Sequence, residues 1–267
     1  MSDYQRIALG VEYDGSRFYG FQTQRQQPTV QQELERVLSR VANGPVQVQC
    51  SGRTDTGVHA LCQVIHFDTT AQRSERSWVL GANTHLPPAA TVLWAREVPL
   101  TFHARHSSLS RTYRYRIINR WTRPALEHER ACWVREELDA KAMHEAAQQL
   151  IGEHDFNAFR AIGCQSASSH RHVHAITVQR AGMWVELEIT ANAFLYHMVR
   201  NIAGTLIEVG RGARDAAWVA AALASRDRTQ AGPTAAATGL YFIAPQYHPD
   251  WGLPESGAAF PRGWNLS

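Results

Sequence analysis

In the segment Gly52-Arg53-Thr54-Asp55-Thr56-Gly57-Val58-His59 an arginine, a carboxylate and an imidazole fall within seven positions, between glycines that permit tight backbone turns. One carboxylate with a cation close by is the least that nucleophilic chemistry requires. Asp and Gly are equally ordinary turn residues, so the loop alone does not decide between a site and a turn. A second cluster is His170, His172 and His174, which alternate on one strand face and could act as metal ligands beside a carboxylate, as in a metal-dependent hydrolase. That stretch has no carboxylate near it in sequence, and with 13 histidines in the chain a chance cluster is unsurprising.

The third chemical feature is the distribution of positive charge. Net charge is only +3, but the basic residues are almost all arginine, with Lys141 the sole lysine, and arginine suits bidentate phosphate contacts. Residues 100–126 contain no Asp or Glu but hold Arg105, Arg111, Arg114, Arg116, Arg120 and Arg123. A second acid-free stretch, residues 156–185, holds Arg160, Arg171 and Arg180 with the three alternating histidines. Two long segments without local neutralisation fit a polyanionic partner, as in an RNA-binding protein. Cys50, Cys62, Cys132 and Cys164 are widely spaced and never Cys-x-x-Cys, which argues against a disulfide framework or structural zinc and suits a reducing cytoplasm. There is no signal-peptide pattern and no run near the roughly 20 apolar residues of a membrane span.

These residues need elements to position them, and 267 residues at 44% hydrophobic content can bury a sizeable core. Residues 7–13 read as a strand ending in an Asp14-Gly15-Ser16 turn. Thr29 then opens a helix with Val30, Leu34, Val37, Leu38 and Val41 at helical spacing and a capping box to Gln32. Residues 46–50 and 61–67 look like strands, making 52–59 the loop between them. A helix at 78–83 and a strand at 91–98 complete the first half.

The second half nearly repeats that order. It has a strand at 111–119, then a helix at 139–151 with Met143, Ala147, Leu150 and Ile151 inward. A hairpin of 173–180 with 184–190 follows, then helices at 196–209 and 216–225, and a strand at 239–244. On the 196–209 helix the apolar stripe is Met198, Val199, Ile202, Leu206 and Val209, with Arg200 near its edge. The expectation is an α+β chain of two subdomains joined near residues 106–110, residues 1–106 and 107–248, with a cleft between them as the place for a site. An irregular tail, 249–267, retains Trp251, Phe260 and Trp264 and is expected to pack on the body.

The Gly52–Ala60 run resembles the motif of the TruA-type tRNA pseudouridine synthases. Four further segments resemble that family in the same order: Tyr13-Asp14-Gly15-Ser16, Arg111-Thr112-Tyr113-Arg114-Tyr115, His197-Met198-Val199-Arg200-Asn201, and Ala231-Gly232-Pro233-Thr234 leading to Gly239-Leu240-Tyr241. Departures are mild: Phe21 stands where the family usually has Trp, and Leu61-Cys62 replaces smaller residues.

The resemblance implies the pseudouridine synthase fold, two pseudo-symmetric halves of mainly antiparallel sheet with helices on one side. It implies conversion of uridine to pseudouridine at positions 38, 39 and 40 of the tRNA anticodon stem-loop, with no cofactor and no metal, by a cytoplasmic homodimer. It assigns Asp55 as the nucleophile, Arg200 as its charge partner, and Tyr113 and Leu240 to the target base. RNA contacts fall to Arg53, Arg73, Phe102, His103, Ala104, Arg105 and His106, and to Gly163, Cys164, Gln165, Ser166 and Ala167. From the residues alone Arg200 is as well an exposed arginine, and Tyr113 as well a core-facing tyrosine, since Tyr113 and Tyr115 share one face of their strand and Arg114 and Arg116 the other.

Overall fold

Strand β1 (Gln5–Tyr13) is buried on both faces from Ile7 to Val11, so something must cover each side of it. In the computed structural model, which describes residues 4–254, the chain forms two units: residues 4–109 with 242–254, and residues 110–241. The segment 255–267, with the expected packing of Phe260 and Trp264, lies outside the described residues.

In the first unit β1 pairs antiparallel with β3 (His59–Thr69) and β4 (Ala90–Val98), and the short β2 (Gln49–Cys50) pairs with β3. One face is covered by α1 (Val30–Ala42) and α2 (Glu75–His85). There Trp78 packs edge-on against Phe67 with ring centroids 5.1 Å apart, above Leu34, Val37 and Leu38. The Thr29 cap forms, its Oγ1 accepting from Gln32 N–H, but the Gln32 side chain accepts from the Thr29 hydroxyl at 3.0 Å rather than from the Thr29 backbone N–H, so the capping box is only half made. On the opposite face Ala8, Cys62 and Val64 pack with Phe102, Ala104 and Ala244, joined by Trp94, Tyr247 and Trp251. A Cβ on Gly10 would lie 2.2 Å from the Trp94 indole, so glycine is what lets that ring lie on β1. With both faces covered, β3 has no alternation of burial at all.

In the second unit β5 (Ser108–Asn119), whose first two residues belong to the first unit, pairs antiparallel with β9 (Trp184–Ala191). Then come β8 (His170–Ala181) and β7 (Gly152–Asp155), while β6 (Cys132–Val134) runs parallel to β5. Helices α3 (Ala140–Ala147), α4 (Met198–Gly210) and α5 (Ala216–Ser225) pack together, with α3 against β8. The chain returns to the first unit within β10 (Leu240–Tyr247). The mixed α+β class and the mainly antiparallel pairing agree with the sequence expectation, as does the hairpin about Gly182.

Several expectations change. His59 opens β3 rather than closing the loop, and residues 46–48 lie outside β2. The helix expected over 139–151 is α3 followed by a single 3-10 turn, Gln148–Leu150, which leaves Ile151 40% exposed instead of inward. The helix expected from 196 starts at Met198, because His197 takes left-handed backbone angles. Its burial is also broader than one stripe: Asn201, Ala203, Gly204, Thr205 and Ile207 are buried as well.

The expectation of two unneutralised basic segments is corrected most clearly. Arg114 pairs with Glu188 at 2.8 Å and Arg116 with Glu186 at 3.0 Å, across the β5–β9 ladder. Antiparallel pairing brings acids some seventy positions away directly opposite. Arg160 donates to Cys164 O and Ser166 O, and Arg180 to Asn119 Oδ1 and Leu138 O, so these too serve local structure.

Candidate active site

The Asp55 loop leaves β2 and enters β3, and three elements hold it. From β3, Gln63 is fully buried; its amide donates to Gly52 O at 2.5 Å while its oxygen accepts from Ser51 Oγ at 2.6 Å and Gly52 N–H at 3.3 Å. From the end of β1, Tyr13 Oη meets Thr54 Oγ1 at 2.7 Å, deep enough that burial pushes the Tyr13 phenol well above its ordinary range. From the turn before α1, Phe21 N–H donates to Thr54 O at 3.0 Å. The loop closes on itself where Val58 N–H donates to Asp55 O, with Gly57 at φ +80°. Thr54 and Val58 are buried; Asp55 between them is half-buried.

The Tyr13-Asp14-Gly15-Ser16 motif is thereby accounted for. Gly15 N–H donates to His59 Nδ1 at 3.2 Å, with the Asp14 carboxylate equally close, and a Cβ on Gly15 would fall 1.9 Å from Val58 O. His59, read from sequence as part of the reactive cluster, is a buried bracing residue in this unit.

Arg53 and Arg105 are exposed and converge: both act electrostatically on the Cys50 thiol. Burial still dominates there and pushes that thiol up to about 12. Arg105 is presented by a rigid segment. Phe102 and Ala104 are fully buried, and His103 Nδ1 accepts from both Arg105 N–H and His106 N–H. Tyr247 Oη donates to Ala104 O, and Arg6 donates to the carbonyls of Leu100 and Phe102. His66, His103 and His106 touch in series, the first pair edge-on and the second tilted, with ring centroids 4.7 and 4.3 Å apart. Arg73 is exposed just before the Ser74 cap of α2 and donates to Gln72 O; it has no part in this bracing.

In the second unit Tyr113 is 8% exposed, with its ring edge-on to Phe194 at 4.9 Å. Leu240 is buried and follows Gly239, where a Cβ would lie 2.8 Å from Arg116 O and 2.9 Å from the Tyr115 ring. Tyr115 Oη donates to Ala236 O; burial raises its pKa, and the Arg200 charge opposes that rise. Arg200, half-buried at the first turn of α4, donates from Nε to Ala235 O at 2.8 Å and from Nη1 to His197 Nε2 at 3.2 Å.

The Gly232-Pro233-Thr234 segment lies against α4 so closely that a Cβ on Gly204 would meet Pro233 O at 1.7 Å. Gly232 N–H bonds Thr205 Oγ1, Thr234 Oγ1 bonds Asn201 Oδ1, and Ala235 N–H bonds Arg200 O. That segment of the family resemblance thus sets the position of Arg200.

The 163–167 loop is half-buried to exposed and anchored by arginines and backbone: besides Arg160, Arg171 donates to Ser166 Oγ and Ser168 O. Ala161 N–H reaches Tyr196 O, and Tyr196 N–H reaches Cys164 Sγ at 3.4 Å. Residues 192–197 therefore touch three of the expected parts: Phe194 at Tyr113, Tyr196 at the loop and His197 at Arg200. Gln63, Phe194 and the Asn201 contacts carry no signal of their own in the sequence, since each acts on a residue far away along the chain. The alternating histidines are exposed, with His172 and His174 stacked at 4.7 Å; among the described residues no group of three or more His, Cys, Asp or Glu is arranged to hold a metal ion. Nor is any described helix long and apolar enough to cross a membrane.

Comparison with known proteins gives the family. The profile of the tRNA pseudouridine synthase family matches residues 10–107 and 146–248, and the chain belongs to that family of isomerases. The tRNA pseudouridine synthase A of Xanthomonas euvesicatoria pv. vesicatoria is 55% identical over 251 residues, covering 93% of this chain and 98% of that one. The protein of the same name from Aeromonas hydrophila subsp. hydrophila is 53% identical over 250 residues, covering 94% and 93%.

Proposed function

We propose that this chain converts uridine to pseudouridine at positions 38, 39 and 40 of the tRNA anticodon stem-loop, with Asp55 as nucleophile. The observation that carries the assignment to Asp55 is the bracing of its loop: β1, β3 and the turn before α1 each bond the backbone or side chain beside it, as a group held for attack requires.

The reaction breaks the C–N glycosidic bond, turns the detached uracil and joins its C5 to ribose C1′, releasing the C5 hydrogen as a proton. A carboxylate oxygen of Asp55 attacks either ribose C1′, displacing uracil and being displaced in turn when C5 bonds C1′, or uracil C6, saturating the 5,6 double bond and leaving when loss of the C5 proton restores it. No electrons leave the substrate, so the chemistry needs no cofactor. Arg200 serves as the cation that keeps the carboxylate ionised in a site dry enough to protect the intermediate. Tyr113 stacks on the flipped base, a contact of about 1–3 kcal/mol, and Leu240 lines the base pocket.

Arg53, Arg73, His103, Arg105, His106 and residues 163–167 hold the tRNA backbone, while Phe102 and Ala104, expected from the sequence as RNA contacts, are fully buried and only fix the segment that presents Arg105. The energy of the contacts offsets the few kcal/mol that flipping a stacked uridine costs. The working form is a cytoplasmic homodimer, to be checked by sedimentation. The test of site choice uses anticodon stem-loops carrying 5-tritiated uridine at one of positions 38, 39 or 40. Tritium release from all three, and none from a uridine placed elsewhere in the stem, is expected; release confined to other positions contradicts the assignment.

A further inference from the structure

Among the described residues, four of the five α-helices have a side-chain cap at the N-terminus: Thr29, Ser74, Asp139 and Asp215 each accept a backbone N–H of the first turn. The exception is α4, the helix that carries Arg200. Its cap position is His197, whose side chain makes no capping bond and whose backbone sits at φ +59°, ψ +8°. A non-glycine residue in that region is strained, and histidine is a poor cap. The imidazole instead turns to Arg200. A guanidinium can only donate, so in this bond Nε2 of His197 is the acceptor. The Tyr196 ring lies against the imidazole, tilted, with centroids 3.9 Å apart.

We propose that His197 is a positioning residue: it forgoes the helix cap to hold Arg200, together with Ala235 O, in the one orientation that the isomerisation uses. Two bonds from different directions, to Nε and to Nη1, fix both the reach and the rotation of the planar guanidinium. Because Tyr196 also bonds Cys164 and Ala161, the same short segment ties the orientation of Arg200 to the loop at 163–167. This inference rests on the role of Arg200 proposed above.

The test compares His197→Phe, which keeps a ring but no acceptor, with His197→Gln, whose amide oxygen reaches about as far as Nε2. Steady-state kinetics on tRNA would be run beside thermal melting of each protein, with Arg200→Ala and the Phe/Ala double variant as references. Expected is a kcat lowered about 10- to 100-fold in His197→Phe, the range for one lost hydrogen bond to a charged group, with KM and melting temperature close to wild type. His197→Gln should recover most of the rate, and His197→Phe should cost nothing further once Arg200 is alanine.

A wild-type kcat in His197→Phe overturns the proposal, as does a loss that follows the melting temperature and that Gln does not restore. If Arg200→Ala itself turns over at the wild-type rate, the role of Arg200 falls. A slow Arg200→Ala beside a normal His197→Phe removes the positioning role alone.

Discussion

Asp55 is half-buried in a loop whose Thr54 and Val58 are buried, so the backbone that carries its side chain is not free to move. Arg105 is held in the same way: the chain beneath it is fixed by Phe102, Ala104 and three imidazoles, and only the guanidinium projects. Replacing Arg105 by alanine is expected to weaken tRNA binding and to reduce the slope of log K against log salt by about 0.7–0.9, one phosphate contact's worth of released counterion. Titrations at several salt concentrations check this, and an unchanged slope removes Arg105 from the interface. By the same logic Arg114→Ala should leave the slope alone, because that arginine already faces Glu188.

At the scale of elements, glycines set how near the loop can come to its braces. A methyl at position 15 would meet the Val58 carbonyl, which is backbone and cannot swing aside, so Gly15→Ala should shift the Asp55 loop. We expect a loss of about 1–3 kcal/mol in urea denaturation and a larger fall in kcat than in tRNA affinity. Gly44→Ala, with nothing near its added carbon, is the control and should behave as wild type.

Much of this level was legible in the sequence. Helix α1 followed from its apolar spacing and Thr29 cap, and the β8–β9 hairpin from two strand patterns around Ala181-Gly182-Met183. Other features left no local trace. β6 and β7 are only three and four residues long, too short for a period to register. β3 is buried on both sides, so alternation could not reveal that Gln63 points at the loop. The sequence pattern of α4 extends through Tyr196, and the left-handed backbone of His197, which sets the start at Met198, has no periodicity to reveal it. The positive segments were overread for a related reason: local acid content says nothing about which strand lies opposite.

For the whole molecule, acid should act first through the first unit. Burial, then the charges of Arg6 and His103, hold the His66 pKa at about 4 against an ordinary 6.5, so the folded imidazole stays neutral where the unfolded one is protonated. Stability from this group is complete above pH 6.5 and is lost as pH falls toward 4. The bidentate bond from Arg6 holds the Asp68 carboxyl below its ordinary 3.8, so its contribution is present above that value and is lost only at lower pH. Urea midpoints should therefore decline between pH 6.5 and 4 and fall again below. His66→Asn keeps an acceptor for Ala104 N–H but does not titrate, and it should flatten the first decline. A midpoint independent of pH over that interval would contradict the assignment.

The central claim is that Asp55 makes the covalent bond. The direct measurement is tritium release from a 5-tritiated-uridine anticodon stem-loop by wild-type and Asp55→Asn proteins, with tRNA affinity recorded for both. The account predicts release by wild type, none by Asp55→Asn, and nearly equal affinities, since a lost carboxylate leaves the phosphate contacts intact. Release by the Asp55→Asn protein at the wild-type rate would contradict it.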